Sequence, residues 1–216
     1  MSVIRASAGD LPATSEARPG PETTLAEIRA AQRDPDAAAT IYATWFDPVY
    51  RYCHRRLGTT EAAEDAASRI FERVLTALPD YRPDEKRPGA TFRSWLFAIA
   101  HNTIVDQHRR RRFHLSLDRL LHPRGDRPPI HLRDPARPPD DQAIGRDTDR
   151  AVREALATLP ERQRRVVELR LAGLTGPEIA TALDTTHSSV KSAQFRAYQT
   201  LRETLTALGY APEDDQ

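Results

Sequence analysis

The segment 91–112, TFRSWLFAIAHNTIVDQHRRRR, constrains this chain more than any other stretch. Its first fifteen residues are apolar on nearly every side, and its last four are all arginine. At about 100° per residue, Phe92, Trp95, Leu96, Ile99 and Thr103 share one helical face, while Ala98, His101 and Val105 lie on a second. A helix apolar nearly all round is a buried one. The pattern therefore predicts the central helix of a helical domain, and the arginine block predicts a grip for an acidic partner.

At 216 residues the chain suits one or two domains, each able to bury a core. The formal net charge of +1 does not by itself imply nucleic acid. The distribution does more: of 32 basic residues only Lys86 and Lys191 are lysine, and four arginines cluster at 109–112. Clustered arginine is the electrostatic footprint of a phosphate-binding surface. Cys53 is the only cysteine, which excludes a disulfide framework and a thiolate zinc site, and it sits in an apolar pattern that predicts a buried, inert thiol. No run approaches the length of a membrane span and no secretion signal is apparent, so a cytoplasmic protein without membrane insertion is expected.

Residues 1–21 are rich in Ala, Ser, Pro and Gly, which predicts a disordered tail. Thr24 caps a short helix that ends at the turn Asp34-Pro35-Asp36. A longer helix follows from Ala37 to Leu57, with Ile41, Trp45, Val49, Tyr52 and Cys53 on one stripe and Pro48 expected to kink or restart it. Gly58 supplies the stop and Thr60 the next cap. The third helix, 61–78, buries Ala63, Ala67, Ile70, Phe71, Val74 and Leu78 and turns Asp65, Ser68, Arg69 and Glu72 outward. After a loop at 80–90 comes the central helix, which closes a first domain over 22–114. Six prolines in the eighteen residues 122–139 preclude a helix and mark a flexible, proline-rich linker, set at 115–148.

The second domain, 149–209, precedes an acidic tail at 210–216. A short helix over 176–183, a turn at 184–186 and a longer helix from His187 form a helix-turn-helix. With Val190 inward, Gln194, Ala197, Leu201 and Leu205 follow on the same side and Ala193 sits at its margin. Ser188, Ser189, Lys191, Ser192, Phe195, Arg196 and Gln199 point outward. Short hydroxyls let a helix approach base edges, while Lys191 and Arg196 can meet phosphate or guanine. The whole is all-α: two small helical domains on a tether. A catalytic reading is weak. His101 and His108 stand two turns apart, about 10 Å, too far to share one metal, and no phosphate loop or nucleophile motif occurs. No cofactor and no metal are expected. A stand-alone helix-turn-helix regulator would share the second domain but not the arginine-ended helix of the first.

With these segments in hand, the chain resembles the extracytoplasmic-function (ECF) group of bacterial sigma factors, in the sigma-70 family. In the first domain the likeness rests on Ala63-Glu64-Asp65-Ala66-Ala67-Ser68-Arg69-Ile70-Phe71 and on 92–102 followed by Asp106 and Arg109. In the second it rests on Leu159-Pro160, Arg170, Glu178-Ile179-Ala180, Val190-Lys191-Ser192 and Arg196-Ala197. The resemblance implies a non-catalytic subunit of RNA polymerase, with a region 2 helical bundle and a region 4 helix-turn-helix. It implies that Glu64, Asp65, Ser68, Arg69 and Glu72 dock on the β′ clamp helices of the core enzyme. It implies that Tyr81, Arg93, Asn102, His108, Arg109 and Arg110 take the −10 element as it melts. Ser188, Ser189, Lys191, Ser192, Phe195 and Arg196 would read the −35 element, with the same domain touching the β flap. The implied partners are core RNA polymerase and promoter DNA, with an anti-sigma factor left open. Ser68 replaces the family's usual glutamine, Asp184 a usual glycine, and Ala193 stands where a base-reading arginine is often found.

Overall fold

The computed structural model describes residues 21–121 and 152–207, with side chains except those of Pro88 and of 110–121. Eight α-helices and one 3-10 turn make up the described residues, without a strand: α1 (Leu25–Ala31), α2 (Pro35–Leu57), α3 (Thr60–Ala77), a 3-10 turn (Leu78–Asp80), α4 (Pro88–Leu121), α5 (152–158), α6 (Glu161–Leu171), α7 (Gly176–Ala182) and α8 (His187–Ala207). The expected N-terminal tail, most of the linker and the acidic tail lie outside the described residues.

Local chemistry sets the helix ends. Thr24 and Thr175 each form a capping box, Thr24 with Glu27 and Thr175 with Glu178, so two orphan donors are satisfied at each start. Gly58 ends α2 at φ 81°, in the left-handed region where glycine carries no steric penalty. The start of α3 differs from expectation: Thr59, not Thr60, is its N-cap, accepting from the Ala62 N–H at 3.3 Å. Asp34 caps α2 with Pro35 in the first turn, so the expected turn is also a helix start. α2 runs unbroken through Pro48, against the expected kink or restart. The ring removes one N–H, but Ile41, Trp45, Val49 and Tyr52 on both sides of it are buried in one core that holds the two halves together.

Around the central helix, α2 and α3 pack on α4, and α1 packs on α2. Phe92, Leu96, Phe97, Ala100 and Ile104 are fully buried, as the apolar pattern of α4 required. Trp45 is buried against Phe92 and Phe97, and its indole N–H donates to the Thr23 hydroxyl at 2.7 Å. α4 begins at Pro88 and continues to Leu121, seven residues beyond the boundary set at His114. Cys53 is buried, and burial pushes its thiol up to about 12, which keeps it unreactive.

The second domain folds its own helix-turn-helix and also packs on the first. α7 lies on α4, and α6 touches α2. One apolar cluster runs from Ile28 and Trp45 through Phe92 to Leu169, Ile179 and Val190. Among the described residues, two arginines make three ion pairs across the boundary. Arg56 of α2 donates to Glu161 at 2.7 Å and to Glu168 at 3.0 Å, and Arg93 of α4 donates to Glu178 at 2.7 Å.

Candidate nucleic-acid interface

Three surfaces carry the residues singled out by sequence. On α3, Glu64, Asp65, Ser68, Arg69 and Glu72 are all exposed, because the opposite side of the helix is filled by Ala63, Ala67, Ile70, Phe71 and Val74. Arg69 and Asp65 lie 3.4 Å apart, a solvent-exposed pair of little stability value. Sequence periodicity did not mark two large apolar neighbours of this face. Leu75 is 44% exposed and Tyr42 of α2 is 43% exposed, with the Tyr42 ring 4.7 Å from Phe71. Leu75 falls off the buried stripe of α3, which was the available signal.

On α4, Asn102, Asp106 and Arg109 recur at helical spacing and are exposed on one side. Arg73 of α3 reaches across to Thr103 at 3.1 Å and to Asp106 at 3.4 Å, holding the two helices together. An open groove of about 540 Å³ lies between them, lined by Glu72, Arg73, Thr76, Ala77, Ile99 and Asn102. Asn102 thus places an amide on its rim. Arg73 was missed because its partners lie thirty residues and more away in sequence.

Three of the residues assigned by resemblance to the −10 element are not free on this surface. Tyr81 is buried in an aromatic cluster, its ring 4.5 Å from Trp95 and 5.7 Å from Phe92, so it packs the core instead of offering a stacking platform. Arg93 is buried and held by Glu178. His108 is half-buried and engaged within the protein. The Arg110 side chain lies outside the described residues. His101, one turn before Asp106 on the inner side, is buried with its Nδ1 3.4 Å from the Tyr52 hydroxyl. Burial lowers its pKa to about 4, helped by the nearby Arg165 and Arg56 guanidinium groups and opposed by Glu161.

In the second domain the turn geometry is explicit. Asp184 has φ 48°, the left-handed conformation that aspartate tolerates better than most residues. Around it, Thr185 N–H donates to the Ala180 carbonyl at 2.9 Å and Asp184 N–H to the Thr181 carbonyl at 3.3 Å, which is a Schellman closure of α7. The Thr186 hydroxyl then accepts from Ser189 N–H at 3.2 Å and starts α8. Val190, Ala193 and Ala197 face inward, leaving Ser188, Lys191, Ser192, Phe195 and Arg196 exposed; Phe195 is 50% exposed. Ser189 is half-buried and hydrogen-bonded by Arg162 of α6. Ala193 is 1% exposed, deeper than the margin position expected for it. That position belongs to the apolar core.

A two-domain all-helical protein whose last helix presents a polar, basic face beyond a tight turn defines the class of DNA-binding factors. The chain matches the Sigma-70 region 2 family over residues 41–114 and the Sigma-70, region 4 family over residues 149–201. It is 34% identical over 193 residues to the ECF RNA polymerase sigma factor SigD of Mycobacterium tuberculosis, covering 87% of this chain and 85% of that protein. It is 27% identical to the ECF RNA polymerase sigma factor SigW of Bacillus subtilis, over 81% of this chain and 92% of that one. Its fold resembles CnrH, solved with the cytosolic domain of CnrY (TM-score 0.59, 23% identity, 84% of this chain and 95% of that one). It also resembles RpoE of Bartonella quintana, solved with the anti-sigma factor NepR (TM-score 0.58, 17% identity, 78% and 96%). The chain belongs to the ECF sigma factors of the sigma-70 family. It is accordingly a non-catalytic subunit that directs transcription by RNA polymerase. Among the described residues no helix is long and apolar enough to cross a membrane.

Proposed function

We propose that this sigma factor recruits core RNA polymerase through the outer face of α3, reads the −35 element with α8, and melts the −10 element along α4. The observation that carries the reading is the exposed row Ser188, Lys191, Ser192, Phe195 and Arg196 on a helix whose opposite side is buried. Small hydroxyls at its start allow close approach to base edges, Lys191 and Arg196 supply cations, and Phe195 offers an apolar surface of the kind that meets a thymine methyl. On α4, Asn102 at the groove rim supplies both donors and acceptors for an unstacked base, and Arg109 supplies charge for the strand beside it. Extruding a base costs a few kcal/mol, which a shaped groove offsets by contacts to the base.

For the polymerase, α3 offers Glu64, Asp65 and Glu72 beside Ser68 and Arg69, with Tyr42 and Leu75 as apolar anchors at its margin. Such a surface suits the β′ clamp helices, and the second domain suits the β flap. The RpoE neighbour, bound to an anti-sigma factor, supports a partner of that kind for this chain also. Run-off transcription tests the proposal: purified protein added to sigma-free core polymerase and genomic promoter DNA gives defined transcript starts. Absence of any defined start overturns it.

A further inference from the structure

We infer that the segment 23–32 is a brace that presents the loop 82–87 to the melted −10 strand, with Gln32 and Arg29 as its positioning residues. The inference deepens the −10 role proposed above and rests on it.

The loop joins the two helices that bound the groove beside Asn102. Ala77, at the end of α3, lines that groove, and the 3-10 turn starts at the next residue. Arg82, Lys86 and Arg87 of the loop are exposed. A strand whose base enters the groove carries its phosphates past the groove's rim, where cations that track the backbone hold it.

Local chemistry shapes the loop. The Asp84 side chain accepts from Lys86 N–H at 2.9 Å, and the Asp84 carbonyl accepts from Arg87 N–H at 3.1 Å, closing a turn at 84–87. Arg82 and Arg87 each precede a proline, which biases both toward extended backbone. None of this fixes where the turn lies on the protein.

The segment 23–32 does so at three points. At the start of the loop, the Gln32 amide donates to the Leu78 carbonyl at 3.0 Å and to the Tyr81 carbonyl at 2.7 Å, which uses both of its N–H groups. At the tip, Arg29 pairs with Glu85. At the far end, a Cβ on Gly89 would lie 3.2 Å from the Thr23 carbonyl oxygen, so the chain before α1 rests on the first turn of α4. Thr23 is held in its turn by the Trp45 indole. Tyr81 gains a role from this arrangement: its ring packs on Trp95 and Phe92 while its carbonyl takes Gln32, so it anchors the loop.

The Arg29–Glu85 pair is exposed on both sides and adds little to stability. Its effect is on charge. Asp84 is engaged by the Lys86 N–H and Glu85 by Arg29, so neither acid of the loop is left to neutralise the neighbouring cations. A loop that wanders lowers apparent affinity by the fraction of molecules in the binding path, and the brace removes that loss before DNA arrives.

Full-length wild type, Gln32→Met, Arg29→Met and Arg29→Lys are assembled with core polymerase to test the brace. The probe is a fluorescein-labelled fork from a promoter mapped by run-off transcription, duplex through the −35 element and single-stranded over the −10 element. Gln32→Met keeps side-chain length and net charge, so it is the deciding variant. Its affinity for the fork is expected to fall about fivefold, that of Arg29→Met about threefold, and Arg29→Lys stays close to wild type. Affinities for core polymerase and for −35 duplex are expected to be the same in all of them. Trypsin cleaves poorly before proline, so it cuts this loop after Lys86, and that cut is expected to be faster in Gln32→Met than in wild type. Unchanged fork affinity in Gln32→Met overturns the brace, and so does a fall shared equally by core or −35 duplex affinity. Circular dichroism checks folding; if Gln32→Met does not fold, the exposed Arg29 variants decide by the same criteria. If wild-type holoenzyme binds the fork no more tightly than the −35 duplex alone, the −10 reading falls and takes the loop's DNA role with it, whatever the rate of cleavage after Lys86.

Discussion

Lowering the pH from 7 to 5 tests the packing around His101. The ring is 6% exposed, faces the Tyr52 hydroxyl from α2, and lies near Arg56 of the same helix and near Arg165 and Glu161 of α6. Burial and the two guanidinium groups hold its pKa at about 4, against 6.5 for the free side chain. The folded protein therefore keeps this imidazole neutral in a range where the unfolded chain has already protonated it. Stability from this source is fully present above pH 6.5 and is lost as pH falls toward 4. At about 1.4 kcal/mol per pH unit the full loss is about 3 kcal/mol, of which about 2 kcal/mol is reached by pH 5. Glu161 does not titrate in this window. Burial works to raise its carboxyl, but hydrogen bonds from Arg56 and Arg165 prevail and hold it at about 2. Trp45 and Trp95, the only tryptophans, both lie in the first domain, so urea unfolding followed by their fluorescence reports on it. Wild type is expected to lose about 2 kcal/mol more than His101→Gln between pH 7 and 5. Equal losses, or a His101 ring titrating near 6.5 by NMR, would refute the reasoning.

Other outcomes follow from single contacts. Thr23→Val leaves the Trp45 indole N–H buried without its acceptor and lowers first-domain stability by about 1–2 kcal/mol in the same urea assay. Asp184→Gly relieves the left-handed turn at φ 48° and raises the second domain's stability by up to about 1 kcal/mol, read from far-UV ellipticity; a loss would show that the aspartate side chain itself supports the turn. Lys191→Ala reduces the log–log salt slope of −35 duplex binding by about one, and an unchanged slope means Lys191 does not meet phosphate. Asp65→Arg weakens binding to core polymerase at least several-fold while the −35 duplex affinity stays as in wild type; unchanged core affinity removes α3 from the polymerase interface.

Local interactions wrote most of the architecture into the sequence. The apolar pattern at Phe92, Leu96 and Phe97, the caps at Thr24 and Thr175, the stop at Gly58 and the left-handed Asp184 all depend on residues within a few positions of one another. Helical periodicity likewise exposed the α3 face and the outward row on α8. Where a local rule met tertiary packing, packing prevailed. Pro48 sits within an unbroken helix because buried neighbours hold both halves, and Tyr81 is core because Phe92 and Trp95 close over it. The sequence by itself therefore determined the run of helices, most of their caps, the helix-turn-helix and the family to which they belong, since each is a matter of spacing along one chain. Only the tertiary structure decided that Arg56 finds Glu168, that Arg93 finds Glu178, and that His101 is kept neutral between them. Those pairings join residues 85 and 112 positions apart. No periodicity reports such a contact, because burial and charge there are set by the neighbouring domain and not by the helix that carries them.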